Sequence, residues 1–392
     1  MTNFDDIRPY NDDEVRETIE RLIVNPDFQL ALGRLNYPKL ARYFPMLLRW
    51  AVGRFLRRET EDVSSIFDVQ KIVEKYMSKM IGRAVTRLSC SGLEKLQPDC
   101  AYLFVCNHRD ISMDPAFVNY VLFQHGFQTV RIAIGDNLLS IPFASDLMRL
   151  NKSFIVSRSA KTNREKFAVS KHLSEYIYHS VNVDNEHIWI AQRQGRAKDG
   201  LDRTESAVIA MFVINRPKAQ NFADYIRELR IVPVSISYEW DPLDVAKARE
   251  LYALRTTGRY QKQAHEDVFN LAKGIAGVKG HVQVVFGDML CQDFNSKDEV
   301  VAELDRQIIH NYAINPSNCF AYLQLYSVVP AVTIRDTGKL FDPVDFPEEE
   351  AQFNERLHAV DDKYRHYLLQ MYANPVVSRL QLDQPQTQQK SA

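Results

Sequence analysis

The chain reads as an α/β protein: a layered domain with a mixed, largely parallel sheet flanked by helices, plus an N-terminal helical extension. Three observations predict this. Short apolar runs rich in Val, Ile and Phe recur at 101–106, 130–134, 153–157, 187–191, 231–236 and 282–286, and runs of that kind suit strands buried on both faces. Helical patterns lie between them, notably at 115–123, 143–150, 161–180, 204–213 and 220–229, and strands alternating with helices imply crossovers and parallel pairing. Finally, 392 residues with 45% hydrophobic and 25% charged content can bury a large core in an ordinary globular chain.

Taken in order, residues 1–35 are polar and helical in pattern, with acids at Asp12, Asp13 and Glu14. Residues 36–58 change character: Lys39, Arg42, Arg49, Arg54, Arg57 and Arg58 interleave with Leu40, Phe44, Leu47, Leu48, Trp50 and Phe55, uninterrupted by any acid. Pro45 opens a helix here, since proline is tolerated in a first turn. From it Leu47, Leu48, Ala51 and Phe55 share a face, with Arg49 pointing away and Arg54 and Arg58 near the stripe. Two readings stand. One is a membrane-surface segment that touches anionic lipid and buries Trp50 and Phe55. The other is a helix packed on the core with a solvated basic face. The expected organisation is a helical region over 1–85, the α/β domain over 86–345 with a charged helical insertion near 242–279, and a C-terminal helical tail over 346–392. A further helix is expected at 296–313. The Gln-rich end, Gln381 to Ala392, reads as disordered.

Composition removes several function classes. A net charge of −1 supplies no global basic field for nucleic acid. The five cysteines, Cys90, Cys100, Cys106, Cys291 and Cys319, form no CxxC pair and no zinc spacing, which suits free thiols in a reducing compartment. No metal is expected. The acidic start, Met1 to Asp6, is not a signal peptide, and no run of about 18 apolar residues offers a spanning helix. The expected location is therefore cytoplasmic, peripheral on the inner face of the membrane.

Candidate chemistry gathers where strands end, as sites do in open α/β sheets. Asn107-His108-Arg109-Asp110-Ile111-Ser112-Met113-Asp114-Pro115 follows the first apolar run. An imidazole held by a carboxylate can take a proton from an alcohol near neutral pH; either Asp114 or Asp110 could hold it. Ser153 to Ser159 is a strand ending in Arg158. Ile188 to Gly200 is a strand ending in a loop with Arg193, Gln194, Gly195, Arg196 and Lys198. Ile231 to Glu239 is an apolar strand with Pro233 inserted. Each has a bland account alone: a capped turn, a solvated arginine, a solvated loop, an edge strand or bulge. Together they fit one site. Arg158, Arg196 and Lys198 suit a phosphate, Gly195 permits close backbone approach, and His108 supplies a base. Cys106 could be an acyl-enzyme nucleophile, though its place in an apolar strand suits a buried structural thiol. Gly274, Gly277 and Gly280 form a GxxGxxG with no preceding strand, for which a helix end and turn suffice. His172, His179, His187 and His281 have no ligand-like spacing.

The order of these four stretches resembles the glycerolipid acyltransferases, the glycerol-3-phosphate and 1-acylglycerol-3-phosphate acyltransferases. Asn107-His108…Asp114-Pro115-Ala116 is similar to that family's His-x4-Asp block, especially in its plastid glycerol-3-phosphate members. Phe154 to Ser159, Ile190-Ala191…Gly195-Arg196-Ala197-Lys198 and Val232 to Tyr238 are similar to the second, third and fourth blocks, with Gly135-Asp136-Asn137 and Ile141-Pro142 fitting between. The resemblance spans about 100–290. Two positions depart from the pattern: five residues separate His108 from Asp114, and Gln194 stands where many members carry Glu. The resemblance implies transfer of a fatty acyl group from acyl-CoA or acyl-ACP to a hydroxyl of glycerol 3-phosphate, with lysophosphatidate as the alternative acceptor. His108 is then the base, Asp114 its orienter (alternatively Asp110), and Arg158, Arg196 and Lys198 the phosphate anchors. Gly195, Gln194 and Pro233 shape the site, and no cofactor is needed beyond the thioester substrate. The expected partners are the acyl donor, the phosphorylated acceptor and a membrane surface. A non-catalytic member of the fold and a thioesterase-like hydrolase are the alternatives.

Overall fold

The computed structural model describes residues 3–136, 142–157, 159–262 and 266–384. The chain opens with α1 (Asp12–Val24), α2 (Pro26–Asn36), α3 (Pro38–Tyr43), α4 (Pro45–Glu59) and α5 (Ile66–Ala84). Local sequence sets their starts. Glu14 closes a capping box on Asn11, Asn25 caps α2 ahead of Pro26, and Asp68 closes a box on Ser65. The alternating region follows as β1 (Val85–Ser91), β2 (Leu103–Cys106), α6 (Met113–Gln124), β3 (Arg131–Gly135), α7 (Pro142–Leu150), β4 (Ser153–Val156) and α8 (Asn163–Asn182). It continues with β5 (Ile188–Ala191), α9 (Ser206–Val213), α10 (Phe222–Glu228), β6 (Ile231–Tyr238), α11 (Asp244–Thr257), α12 (Glu266–Ala276), β7 (Gly280–Phe286) and α13 (Lys297–Asn311). Last come α14 (Pro316–Tyr326), the small hairpin β8 (Thr333–Ile334) and β9 (Lys339–Leu340), α15 (Pro347–His358) and α16 (Asp362–Asp383).

Strands β1 to β7 form one sheet in the order β1-β7-β6-β2-β5-β3-β4. The pairs from β6 through β4 are parallel; β7 runs antiparallel to β6 and parallel to β1. The α/β layering and the largely parallel sheet are thus as the alternation predicts. Strand alternation splits the core. Leu103, Val105, Ile188, Ile190 and Ile231 pack with α8, α9, α10 and α13 on one face. Phe104, Cys106, Trp189, Val232 and Val234 pack with α6 on the other. Covered on both sides, these strands show no polar alternation, which is why they read as plain apolar runs. The C-terminal helices carry a cluster of their own around Phe320, Phe353 and Tyr372.

Four expectations need correction. The edge strand β1 went unseen because Thr86, Arg87 and Ser89 break its apolar pattern. Pro233 marks neither an edge nor a bulge: β6 is interior, Pro233 sits opposite Val105, and its carbonyl still accepts from the Gly287 N–H at 2.8 Å. Helix α4 does start at Pro45, but Leu48 does not share its burial with Leu47, Ala51 and Phe55. Leu48, Val52 and Gly53 face inward, while the other three face solvent. Finally, Gln381 to Asp383 belong to α16 rather than to a disordered end; residues 385–392 lie outside the described residues.

Candidate functional site

Because β6, β2, β5, β3 and β4 are parallel, their carboxyl ends share one edge of the sheet. His108 sits there, two residues past β2. Its Nδ1 lies 2.8 Å from Asp114 Oδ2, and the Asp114 side chain is fully buried while that of His108 is 13% exposed. A carboxylate acceptor makes Nδ1 the donor and leaves Nε2 with the free lone pair. No described residue hydrogen-bonds Nε2. The indole of Trp189 meets the ring edge-on, with centroids 5.9 Å apart.

Asp114 stands in the first turn of α6. Its Oδ2 also accepts from the Arg109 and Asp110 backbone N–H groups at 2.7 and 2.9 Å, and its Oδ1 from the Tyr238 hydroxyl at 2.7 Å. The loop from 108 to 113 therefore wraps the carboxylate, which is how the extra residue between His108 and Asp114 is absorbed. Asp110 does a different job: its Oδ1 accepts from Ser112 N and Met113 N, both at 3.0 Å, capping α6. Burial pushes the Asp110 carboxyl up, with the Asp114 charge adding to the shift. Its Oδ2 is buried without a partner among the described residues. The geometry thus chooses Asp114 over Asp110 as the group on the imidazole.

The loop after β5 reaches the same place, since Ala197 N donates to His108 O at 2.8 Å. Gly195 and Gly200 both take positive φ, +78° and +80°, a conformation that disfavours a Cβ. At Gly200 a Cβ would also meet Met371 O of α16 at 2.1 Å, so the C-terminal helix presses directly on this loop. Asn374 of α16 donates to Asp199 O at 2.7 Å. The two predicted cations of the loop differ. Arg196 forms no ion pair among the described residues, and its Nη1 is buried without a hydrogen-bond partner. Lys198 is paired with Glu250 of α11. Gln194 is exposed, and its backbone N–H binds Glu205. Arg158 lies outside the described residues, as do Asn137 and Ile141.

Behind the loops is a buried polar network that sequence reasoning missed. Asn107 Nδ2 donates to Asp202 Oδ2 at 3.1 Å and to Ile236 O at 3.0 Å, and its Oδ1 accepts from Ile236 N at 2.8 Å. Arg109 donates to Asp202 at 2.5 Å and to Gly200 O at 3.1 Å, and stacks 5.0 Å from the Tyr312 ring centre. Burial pushes the Asp202 carboxyl up, against the pull of Arg109. Lys247 of α11, also buried, donates to Arg109 O at 2.7 Å and pairs with Asp241. These residues lock the β2, β5 and β6 ends together. Of these, only Asn107 and Arg109 adjoin a predicted strand end; Asp202 and Lys247 carry no such signal.

Cys106 is fully buried, and burial holds its thiol well above the usual range, so little thiolate is available for attack. Gly274 packs on the Asp110 carboxylate and Gly280 opens β7, so the glycine run is structural. A cavity of about 970 Å³ lined by Phe4, Arg8, Phe67, Arg131, Lys152 and Glu186 lies elsewhere, by the amino ends of β3 and β4. Among the described residues no group of three or more His, Cys, Asp or Glu is arranged to hold a metal ion.

Residues 87–230 match a protein-family model described as Acyltransferase. Among solved structures, the chain is similar to a 1-acyl-sn-glycerophosphate (LPA) acyltransferase, PlsC, from Thermotoga maritima. The identity is 17% and the TM-score 0.36, over 71% of this chain and 91% of that one. No curated protein matches the sequence.

Proposed function

We propose that the chain moves a fatty acyl group from acyl-CoA or acyl-ACP to a hydroxyl of glycerol 3-phosphate, a reading supported by the match of residues 87–230 to a family model described as Acyltransferase. The observation that carries the reading is the 2.8 Å contact between His108 Nδ1 and the buried Asp114 carboxylate, with no hydrogen-bond partner for Nε2 among the described residues. His108 Nε2 takes the proton of the attacking hydroxyl, a contribution of roughly 10²–10⁴ in rate. Asp114 fixes the tautomer and stabilises the imidazolium that forms. The hydroxyl oxygen adds to the thioester carbon, the C–S bond breaks, and the proton passes to the departing thiolate.

Arg196 supports the acceptor's phosphate in this reading. Its guanidinium sits in the loop that touches His108 and has a buried N–H with no acceptor among the described residues, a combination suited to an oxyanion supplied by a ligand. Holding the phosphate places the hydroxyl and can remove several kcal/mol of barrier, roughly 7–11 where orientation is ideal. Lys198, being paired, carries less of this role, and Arg158 is proposed as a further anchor from its sequence position alone.

Lysophosphatidate is the second acceptor, favoured by the outer face of α3 and α4. Met46 is 82% exposed and Trp50 64%, with Tyr43, Phe44, Leu47 and Phe55 also outward. The arginines at 42, 54, 57 and 58 lie among them, exposed. No helix among the described residues is long and apolar enough to cross a membrane. An exposed aromatic face ringed by arginine suits the surface of an anionic bilayer, from which a lipid acceptor would be drawn.

The test is labelled acyl-CoA with glycerol 3-phosphate and lysophosphatidate compared in one assay. His108→Ala is expected to abolish acyl transfer while leaving the melting transition in place; retained turnover in a folded variant overturns the reading. Release of free fatty acid without acceptor acylation marks a hydrolase instead. For the surface, Trp50→Ser with Phe55→Ser is expected to cut co-sedimentation with anionic vesicles at least tenfold, and salt to weaken wild-type binding. Salt-independent binding by the double variant counts against that face.

A further inference from the structure

We infer that Tyr238 is a positioning residue for the His108–Asp114 pair, acting as the clamp on the carboxylate oxygen that the histidine loop leaves uncovered. The inference rests on the proposed role of His108 as base.

The two oxygens of Asp114 are held very unequally. Oδ2 accepts three hydrogen bonds, from the His108 ring and from the Arg109 and Asp110 backbones, all supplied by one loop. Oδ1 has the Tyr238 hydroxyl at 2.7 Å and no other donor among the described residues. Torsion about the carboxylate plane is soft and two-fold, so three bonds converging on one oxygen do not by themselves fix that plane. The second oxygen does, and Tyr238 comes from another element. It is the last residue of β6, where it sits opposite Val282 of β7, and its ring meets Phe117 of α6 edge-on at 6.0 Å. The hydroxyl is thereby referenced to the sheet rather than to the loop. Burial, together with the Asp114 charge, holds the phenol well above its ordinary range, so the hydroxyl stays a donor across working pH. Strand β6 ends at Tyr238, and this last residue delivers the clamp.

The Tyr238 side chain is buried with its hydroxyl on Asp114; it acts through Asp114 on the plane of the imidazole. Tyr238→Phe keeps the ring packing and removes the donor. Its kcat is expected to fall about tenfold or more, with KM for both substrates within about twofold, and the low-field Nδ1–H proton resonance of His108 is expected to move or broaden. In a His108→Ala background the same change is expected to leave the residual rate unaltered, since the partner it positions is gone.

Unchanged kcat and an unchanged Nδ1–H resonance in Tyr238→Phe overturn the inference. So does a tenfold loss that persists in the His108→Ala background, or a rise in KM alone. Failure of the underlying reading is separate: there His108→Ala itself retains turnover, whatever Tyr238 does.

Discussion

His108 and His187 both flank central strands, at opposite ends of the sheet. His108 follows the carboxyl end of β2; His187 precedes the amino end of its parallel neighbour β5. What faces Nδ1 separates them. At His187 the Tyr102 backbone N–H donates to Nδ1 at 3.0 Å, so that nitrogen must be an unprotonated acceptor. The ring is stacked on Tyr102 and 2% exposed, and burial, with the nearby Lys152 charge, pulls its pKa down to about 3. At His108 a carboxylate faces Nδ1, which turns the same nitrogen into a donor and leaves Nε2 without a hydrogen-bond partner among the described residues. Sequence gives both residues the same letter; the environment makes one a sealed structural acceptor and leaves the other the ring proposed as the base.

The largest effect expected from this difference is on turnover. His108→Ala should lower acyl transfer by about 10³-fold or more, whereas His187→Gln should stay within about threefold of wild type at pH 7.5. Equal losses in two folded variants break the contrast.

The second effect is on stability and falls on the other histidine. The folded state holds His187 neutral, with a pKa lowered from 6.5 to about 3. The unfolded chain takes up its proton near 6.5, so it binds more protons than the folded state between those values. Stability from this group is complete above 6.5 and is lost as pH falls through 3, at a total cost of roughly 5 kcal/mol. Urea unfolding at pH 7.5, 5.5 and 4 should show wild type losing stability more steeply than His187→Gln. Parallel pH profiles would mean that the Tyr102 contact does not hold the ring neutral.

The two ends also differ in how much of them the sequence showed. The amino-end segments and the strand cores were legible because burial on both faces leaves a nearly pure apolar signal, as in Leu103–Cys106 and Ile188–Ala191. Edge strand β1 was lost with its polar residues. At the carboxyl end, His108, Asp114 and Arg196 could be found because loops following apolar strands concentrate chemistry. Their supports could not. Asp202, Tyr238, Lys247 and Glu250 lie tens of residues or more from His108 in sequence, and only the closed fold brings them to it or to its loops. The choice between Asp110 and Asp114 turned on a loop path that spacing does not specify. In α4 the split between buried Leu48 and exposed Leu47 depended on what α2 offered it, since Gly33 of α2 lies against Leu48.

The smallest expected effect sharpens the picture of the loop beside His108, where two cations were given one role. Arg196 has a buried N–H with no hydrogen-bond acceptor among the described residues, while Lys198 is matched by Glu250. A ligand phosphate gains a new charge-assisted bond from the first without breaking one; from the second it must displace a carboxylate. Arg196→Met should therefore raise KM for the phosphorylated acceptor about 10- to 100-fold, and Lys198→Met by no more than about threefold, both with modest changes in kcat. Losing the partly exposed Lys198–Glu250 pair should cost about 1 kcal/mol of stability at most. If Lys198→Met instead matches Arg196→Met in KM, the pair opens when substrate arrives. Glu250→Gln should then tighten acceptor binding by releasing the ammonium, and an unchanged KM in Glu250→Gln would return Lys198 to a bracing role between the loop and α11.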